Sequence, residues 1–259
     1  MTDKVLVSTH GPVTVLTLNR PELHNCVDGE TAEAIGTAIE AFADDDDARV
    51  LVVTGAGLLS FCSGADLQHA ETLLGHTYTD KAGPMGFAAL DPGKPTIGAV
   101  NGYCFAGGME LAAWCDFRIA AANAEFGVLN RRWGVPLVDG GTQRLPRIVG
   151  QANALYLIET GARINAQRAL MMGFVQEIVP AGEALNRSVA LAERIAGYPQ
   201  SSIRADRAAS LSTFGSSLAA GLKIEAEIGR PTLTDPEMVA GLARFASGDR
   251  PEPPRPPGA

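Results

Sequence analysis

The sequence predicts an α/β fold that gives way to an all-helical C-terminal region. Three observations predict it. Short β-branched runs alternate with segments of helical spacing as far as Val179. Two of those runs lead into glycine-rich turns that open onto helices, the strand–loop–helix layout of an α/β protein. After Tyr198-Pro199 the strand signals stop and helical spacing continues. The predicted division is an α/β core over residues 1–197 and a helical region over 198–259.

Residues 5–8 and 13–18 alternate and are β-branched, and His10-Gly11-Pro12 joins them as a hairpin. Asp28 is placed to cap a helix running to Phe42, with Ile35, Ile39 and Phe42 on one face. Residues 50–54 are a short apolar run ending in Gly55, the pattern of a buried strand. Residues 67–91 read as helical in pieces, with a mobile middle over 75–83. Residues 96–100 read as a strand. A helix over 108–115 follows, entered through Ala106-Gly107-Gly108, and then a strand over 117–121. Asn165 is placed to cap a helix to Met172, and 174–179 is the last predicted strand. Helices follow over 183–195, 201–211 and 235–245, and the proline-rich tail over 251–259 reads as frayed.

With 46% hydrophobic and 19% charged residues, the 259-residue chain can bury a sizeable core, and global disorder is excluded. Its formal charge of -8 argues against nucleic acid as the main partner. An anionic small ligand would need local cations or backbone N–H groups. Cys26, Cys62, Cys104 and Cys115 form no CxxC pair, which predicts reduced thiols in a cytoplasmic protein. The uncharged stretch over 95–109 is too short to span a membrane, and no signal-peptide pattern opens the chain, so a soluble protein is expected. The acidic run Asp44-Asp45-Asp46-Asp47 reads as a solvated link rather than a metal site.

Several chemistries drop out. Gly55 and Gly57 begin a dinucleotide fingerprint, but Ser60 stands where its third glycine belongs. There is no phosphate-loop motif and no G-x-S-x-G nucleophile elbow. His10, His24, His69 and His76 lack zinc-binding spacing, so no metal is expected.

What survives is a pair of glycine-rich turns, Phe61-Cys62-Ser63-Gly64-Ala65-Asp66-Leu67 and Asn101-Gly102-Tyr103-Cys104-Phe105-Ala106-Gly107-Gly108-Met109-Glu110-Leu111. Each can present unpaired backbone N–H groups, the second at a helix N-terminus. Two such groups aimed at one point form an oxyanion hole, and Glu110 would sit beside it. The same glycines can also serve tight packing, and Glu110 can simply favour the helix dipole.

These turns resemble the signatures of the crotonase superfamily, the enoyl-CoA hydratase/isomerase family. Asn19-Arg20-Pro21 through Asn25 resembles the family's N-R-P-x-x-x-N, and the two turns resemble F-x-x-G-x-D and, from Ala99 to Glu110, A-x-N-G-x-x-x-x-G-G-x-E. Gly140-Gly141-Thr142-Gln143-Arg144-Leu145-Pro146 and the stretch from Ala169 to Val175 are similar to two further family runs. The resemblance spans roughly residues 5–245. It implies a spiral of ββα units with a helical C-terminal region that drives trimers, often paired into hexamers. It also implies an acyl-CoA thioester as substrate and no tightly bound cofactor. The N–H groups of Ala65 and Gly107 match the oxyanion-hole donors. Ser63, Ala65, Asp66 and Leu67 match the stretch that lies along coenzyme A, and His24 stands where a basic residue often faces the CoA phosphates. Asp66 has a second reading, as a helix cap.

One departure bears on the chemistry. Glu110 matches the first of two family glutamates, the one that orients and activates water. Twenty residues on, where the second is expected, stands Asn130, which cannot exchange a proton near neutral pH. Asp139 offers a replacement carboxylate at the acyl pocket, or it caps the helix that begins at Gly140. The expected acid/base set is thus Glu110 and Asp139, with Asn130 as a polar positioner. Arg131, Arg132 and Trp133 either line the acyl pocket or lie on the surface. The expected function is enoyl-CoA hydratase-like chemistry through an enolate. A CoA-thioester binder of little activity, or a hydrolase of CoA thioesters or β-diketones, is the alternative.

Overall fold

The inner strands of the large sheet are buried on both faces, and their alternation shows why. In a computed structural model, which describes residues 3–74 and 83–253, Val13 and Val15 of strand β2 (Val13–Leu18) face one core while Leu16 and Leu18 face another. Strand β3 (Val50–Gly55) repeats the pattern, with Val50 and Val52 on one side and Leu51 and Val53 on the other. Period-2 side chains that are apolar on both sides read as a continuous apolar run.

The six-stranded sheet runs β1 (Val5–His10), β2, β3, β5 (Thr96–Val100), β7 (Phe117–Ala121) and β10 (Glu177–Val179). β1 pairs antiparallel with β2, as the predicted hairpin requires, and every other pair is parallel. A smaller sheet is ordered β4 (Ser60–Cys62), β6 (Tyr103–Phe105), β8 (Glu125–Gly127) and β9 (Ile164–Asn165). The chain alternates between the sheets. β3 feeds β4, β5 feeds β6, and β7 feeds β8, and each pair is followed by helix: α2 (Ala70–Leu74), α3 (Gly107–Trp114), and α4 (Gly141–Val149) after a 3-10 turn at Leu129–Trp133. This is the spiral of ββα units that the resemblance implies.

Helix α1 (Gly29–Asp44) starts where Asp28 Oδ1 accepts from Thr31 N at 2.9 Å, and it buries Ile35, Ile39 and Phe42. Helices α5 (Gln151–Thr160) and α6 (Ala166–Met171) follow α4, with Asn165 capping α6 through Arg168 N. Helix α7 (Ala184–Ala196) lays Ala184, Ala192 and Ala196 on the second face of the large sheet. Helices α8 (Gln200–Ser212), α9 (Leu218–Gly229) and α10 (Pro236–Ala246) complete the chain. α9 and α10 bury no residue, and they leave Leu218, Leu222, Val239, Leu242 and Phe245 exposed. Among the described residues no helix is long and apolar enough to cross a membrane.

The structure corrects two expectations. The last strand covers 177–179, not 174–179. Phe174 and Val175 are buried in the core, and their N–H groups return to Ala169 O to close α6. Parts of the two glycine-rich turns are strands, β4 and β6, because their ends pair with each other. The expected mobile middle over 75–83 falls almost wholly outside the described residues, as does the end of the tail.

Candidate active site

The strands β4, β6 and β8 are parallel neighbours, so their carboxyl ends open on the same side. Ligands of open parallel sheets gather at such ends. Here the three exits carry Ser63 to Asp66, Ala106-Gly107, and Val128 to Asn130. Ser63, Ala65, Gly107, Glu110, Asn130 and Asp139 all line one cavity of ≈ 470 Å³. Leu67, Leu73, Met85, Val135 and Val138 supply much of its apolar wall.

Ala65 sits in a parallel bridge with Val27. Val27 N donates to Gly64 O at 2.9 Å and Asp66 N to Val27 O at 2.8 Å. In that pattern the N–H of Ala65 itself points away from Val27. Gly107 opens α3 behind Ala106, whose φ of 51° and ψ of -123° turn the chain sharply. Met109 N and Glu110 N both donate to Ala106 O, at 2.9 and 3.2 Å. Among the described residues no protein group accepts from Ala65 N or Gly107 N. The two turns lie against each other. A Cβ on Gly64, whose φ is +97°, would fall 2.8 Å from Gly107 N, so that site does not accept a side chain, and one on Gly107 would displace the Met85 thioether.

Glu110 projects from the first turn of α3 and is buried. Its Oε1 accepts from Gly141 N at 2.8 Å and from Asp139 N at 3.0 Å. Gly141 makes this approach possible, since a Cβ there would lie 2.8 Å from Glu110 Cγ. Burial pushes the Glu110 carboxyl up to about 8; the negative charge of Asp139 adds to this, and the two N–H bonds oppose it. Asp139 is also buried, and its Oδ1 accepts from Met85 N at 2.9 Å. Burial raises it to about 6, against the Met85 bond and the charge of Arg144. Asp139 does not cap α4: the cap is Gly140, with no side-chain bond.

Asn130 lines the cavity, but its amide is committed elsewhere. Nδ2 donates to Val135 O at 2.7 Å, and Oδ1 is shielded from solvent with no donor. Asp66 caps a 3-10 turn through Gln68 N and pairs with Arg20 at 2.9 Å and His69 at 3.2 Å. Its side chain, like the exposed ring of His24, is not part of the cavity wall. His24 contributes backbone instead: its carbonyl accepts from Ser63 N at 3.0 Å and Ser60 Oγ at 2.9 Å, fixing the first turn. Arg132 and Trp133 line the cavity, and Arg131 does not. Among the described residues no group of His, Cys, Asp and Glu is arranged to hold a metal ion.

Two contributors carried no signal of this role in the sequence. Met85 acts through its backbone N–H, which no residue type announces. Arg144 belongs to the G-G-T-Q-R-L-P run, but its reach to Asp139 O at 3.1 Å and to Ala88 O depends on the tertiary fold.

Comparison with known proteins places this geometry in context. Residues 8–252 match the family described as enoyl-CoA hydratase/isomerase. The chain is 35% identical over 246 residues to a crotonyl-CoA hydratase of Syntrophomonas wolfei, covering 94% of this chain and 95% of that protein. It is 37% identical over 199 residues to a carnitinyl-CoA dehydratase of Salmonella agona, 75% of each chain. Among solved structures it is similar to an enoyl-CoA hydratase of Mycobacterium marinum, with a TM-score of 0.89 and 30% identity over 97% of this chain and 98% of that one.

Proposed function

From the premise that this chain belongs to the enoyl-CoA hydratase/isomerase family and is an enzyme of it, we propose that it adds water reversibly to an enoyl-CoA thioester, with Glu110 and Asp139 as the acid/base pair. The observation that carries this reading is the placement of two buried carboxylates in one cavity, joined through Asp139 N to Glu110 Oε1. Oε1 and Oδ1 are tied to backbone N–H groups, which leaves the second oxygen of each for ligand. With values near 6 and 8, the pair holds one proton at neutral pH.

The thioester carbonyl binds between Ala65 N–H and Gly107 N–H. Water attacks the β-carbon and gives its proton to the ionised carboxylate. The π electrons move to the carbonyl oxygen, where the two N–H dipoles hold the enolate charge. The enolate then takes the pair's proton at the α-carbon, and the new 3-hydroxyacyl thioester leaves the pair protonated as it began. Elimination of water is the same path reversed. Asn130 shapes the wall by holding Val135 O and moves no proton. Ser63, Ala65 and Leu67 border the coenzyme A strand, with Asp66 and His24 supporting that turn from behind. The exposed apolar residues of α9 and α10 fit self-association into a trimer or hexamer, and four free, buried cysteines fit the cytoplasm.

Incubation with crotonyl-CoA tests this. Loss of enoyl absorbance with a product heavier by one water is expected. Free CoA would indicate hydrolysis instead, and unchanged substrate would indicate a binding protein; both are readings favoured by the loss of a second glutamate at Asn130. An Asp139→Asn enzyme with full turnover would remove Asp139 from the mechanism.

A further inference from the structure

We propose that Arg144 is the positioning residue of the Glu110–Asp139 pair: it clamps the Asp139 turn to the chain over 83–90 and supplies the positive charge that balances one negative charge on the pair. The proposal rests on the acid/base reading above.

Arg144 rises from the first turn of α4. Its Nη1 donates to Asp139 O at 3.1 Å and its Nη2 to Ala88 O. The Nη1 end of the guanidinium closes on Gly140, where a Cβ would collide with it and where φ is +95°. Ala88 belongs to the same short segment as Met85, whose N–H holds Asp139 Oδ1. One side chain therefore fixes both the carbonyl of Asp139 and the segment that grips its carboxylate. Arg144 makes no ion pair among the described residues: its two hydrogen bonds go to carbonyls, and the carboxylates feel its charge from a distance.

The charged and titratable groups around the pair are few. Glu110 comes from α3, Cys115 from the end of α3, Cys62 from β4 and Arg147 from one turn along α4; Arg132, in the wall of the same cavity, is not among the charges that shift either carboxyl. Both thiols are neutral, pushed up to about 12 by burial. Arg147 donates to Gln143 O. Arg144 is thus the cation whose field reaches both carboxylates. A dry site holding one cation is neutral when one of two carboxylates is ionised.

The test uses Arg144→Gln and Arg144→Lys, with kcat/KM for crotonyl-CoA followed from pH 5 to 9.5 and 13C NMR titration of the carboxyl groups in the free enzyme. For Arg144→Gln, both limbs of the pH profile and both titrations should move to higher pH, by about one unit. Arg144→Lys keeps the charge but cannot span two carbonyls. Its limbs should stay near those of the natural enzyme while kcat falls about tenfold. Unmoved limbs and titrations in a folded Arg144→Gln enzyme overturn the proposal. If that variant does not fold, Arg144→Lys decides, and natural kcat in it overturns the clamp. A natural enzyme whose carboxylates do not titrate near 6 and 8 overturns the acid/base reading itself, whatever Arg144 does.

Discussion

Four carboxylates are buried among the described residues, and they form two contrasting pairs. Asp28 and Asp66 face cations. Lys4 Nζ lies 2.7 Å from Asp28, and Arg20 bridges the two acids at 3.4 and 2.9 Å. Burial alone would raise both, but these contacts and the helix-cap N–H bonds outweigh it and hold both below the usual range. Glu110 and Asp139 touch backbone N–H groups and no cation, and burial prevails. The first pair thus stands as charged struts, while the second, more deeply buried, is poised to exchange protons nearer neutral pH. What separates them is depth of burial together with contact to a guanidinium or ammonium.

The contrast fixes opposite pH slopes. The depressed pair stabilises the fold above the carboxylate values of the unfolded chain, near 4, and that stability is lost as pH falls through the folded values. The raised pair contributes stability that is present below about 4 and is lost as pH climbs towards about 6 and 8. Activity should follow a bell with limbs near those two values.

The strongest way to break the contrast is Glu110→Gln. It should lower kcat/KM by about 10²–10⁴-fold, because an amide cannot carry the proton. The same change should raise Tm at pH 8 and flatten its decline from pH 5 to 8, a gain of about 2–4 °C per kcal/mol recovered. Thermal scans at both pH values check it. Arg20→Leu attacks the other pair. It strands Asp66 beside an apolar neighbour and should cost about 3–5 kcal/mol in urea denaturation. Gly141→Ala sharpens the geometry. Its methyl would press on Glu110 and should reduce kcat about 10²-fold, with the protein still folded by circular dichroism. Lys4→Met is the mildest, since Lys4 is partly exposed. It should cost about 1 kcal/mol or less and leave turnover unchanged.

Legibility in the sequence followed physical length scale. The hairpin, α1 with its Asp28 cap, and strands β3, β5 and β7 were readable because five or six residues suffice to show a run or a period. β4, β6 and β8 are three residues each, too short for alternation; β4 and β6 fall inside the two glycine-rich turns, and β8 carries no strand signal of its own. The positions of Glu110, Ala65 and Gly107 came through signature motifs. Asp139 stayed ambiguous because an acid before Gly140-Gly141 looks like a cap; only the fold brings Met85 N–H to its carboxylate. His24 and Asn130 were visible as residues but not as donors and acceptors. One works through its carbonyl, and the other spends its amide on Val135.

Because the chain weaves between two sheets, every coil of the staircase ends on its own ledge at the rim of the cleft: residues 63–66, then 106–107, then 128–130. Each ledge is secured by its own strand. A mutation on one can therefore rewrite a chemical group while the others keep their aim. On the third ledge stands an asparagine, Asn130, in the same cavity wall as Ser63 and Ala65 of the first and Gly107 of the second.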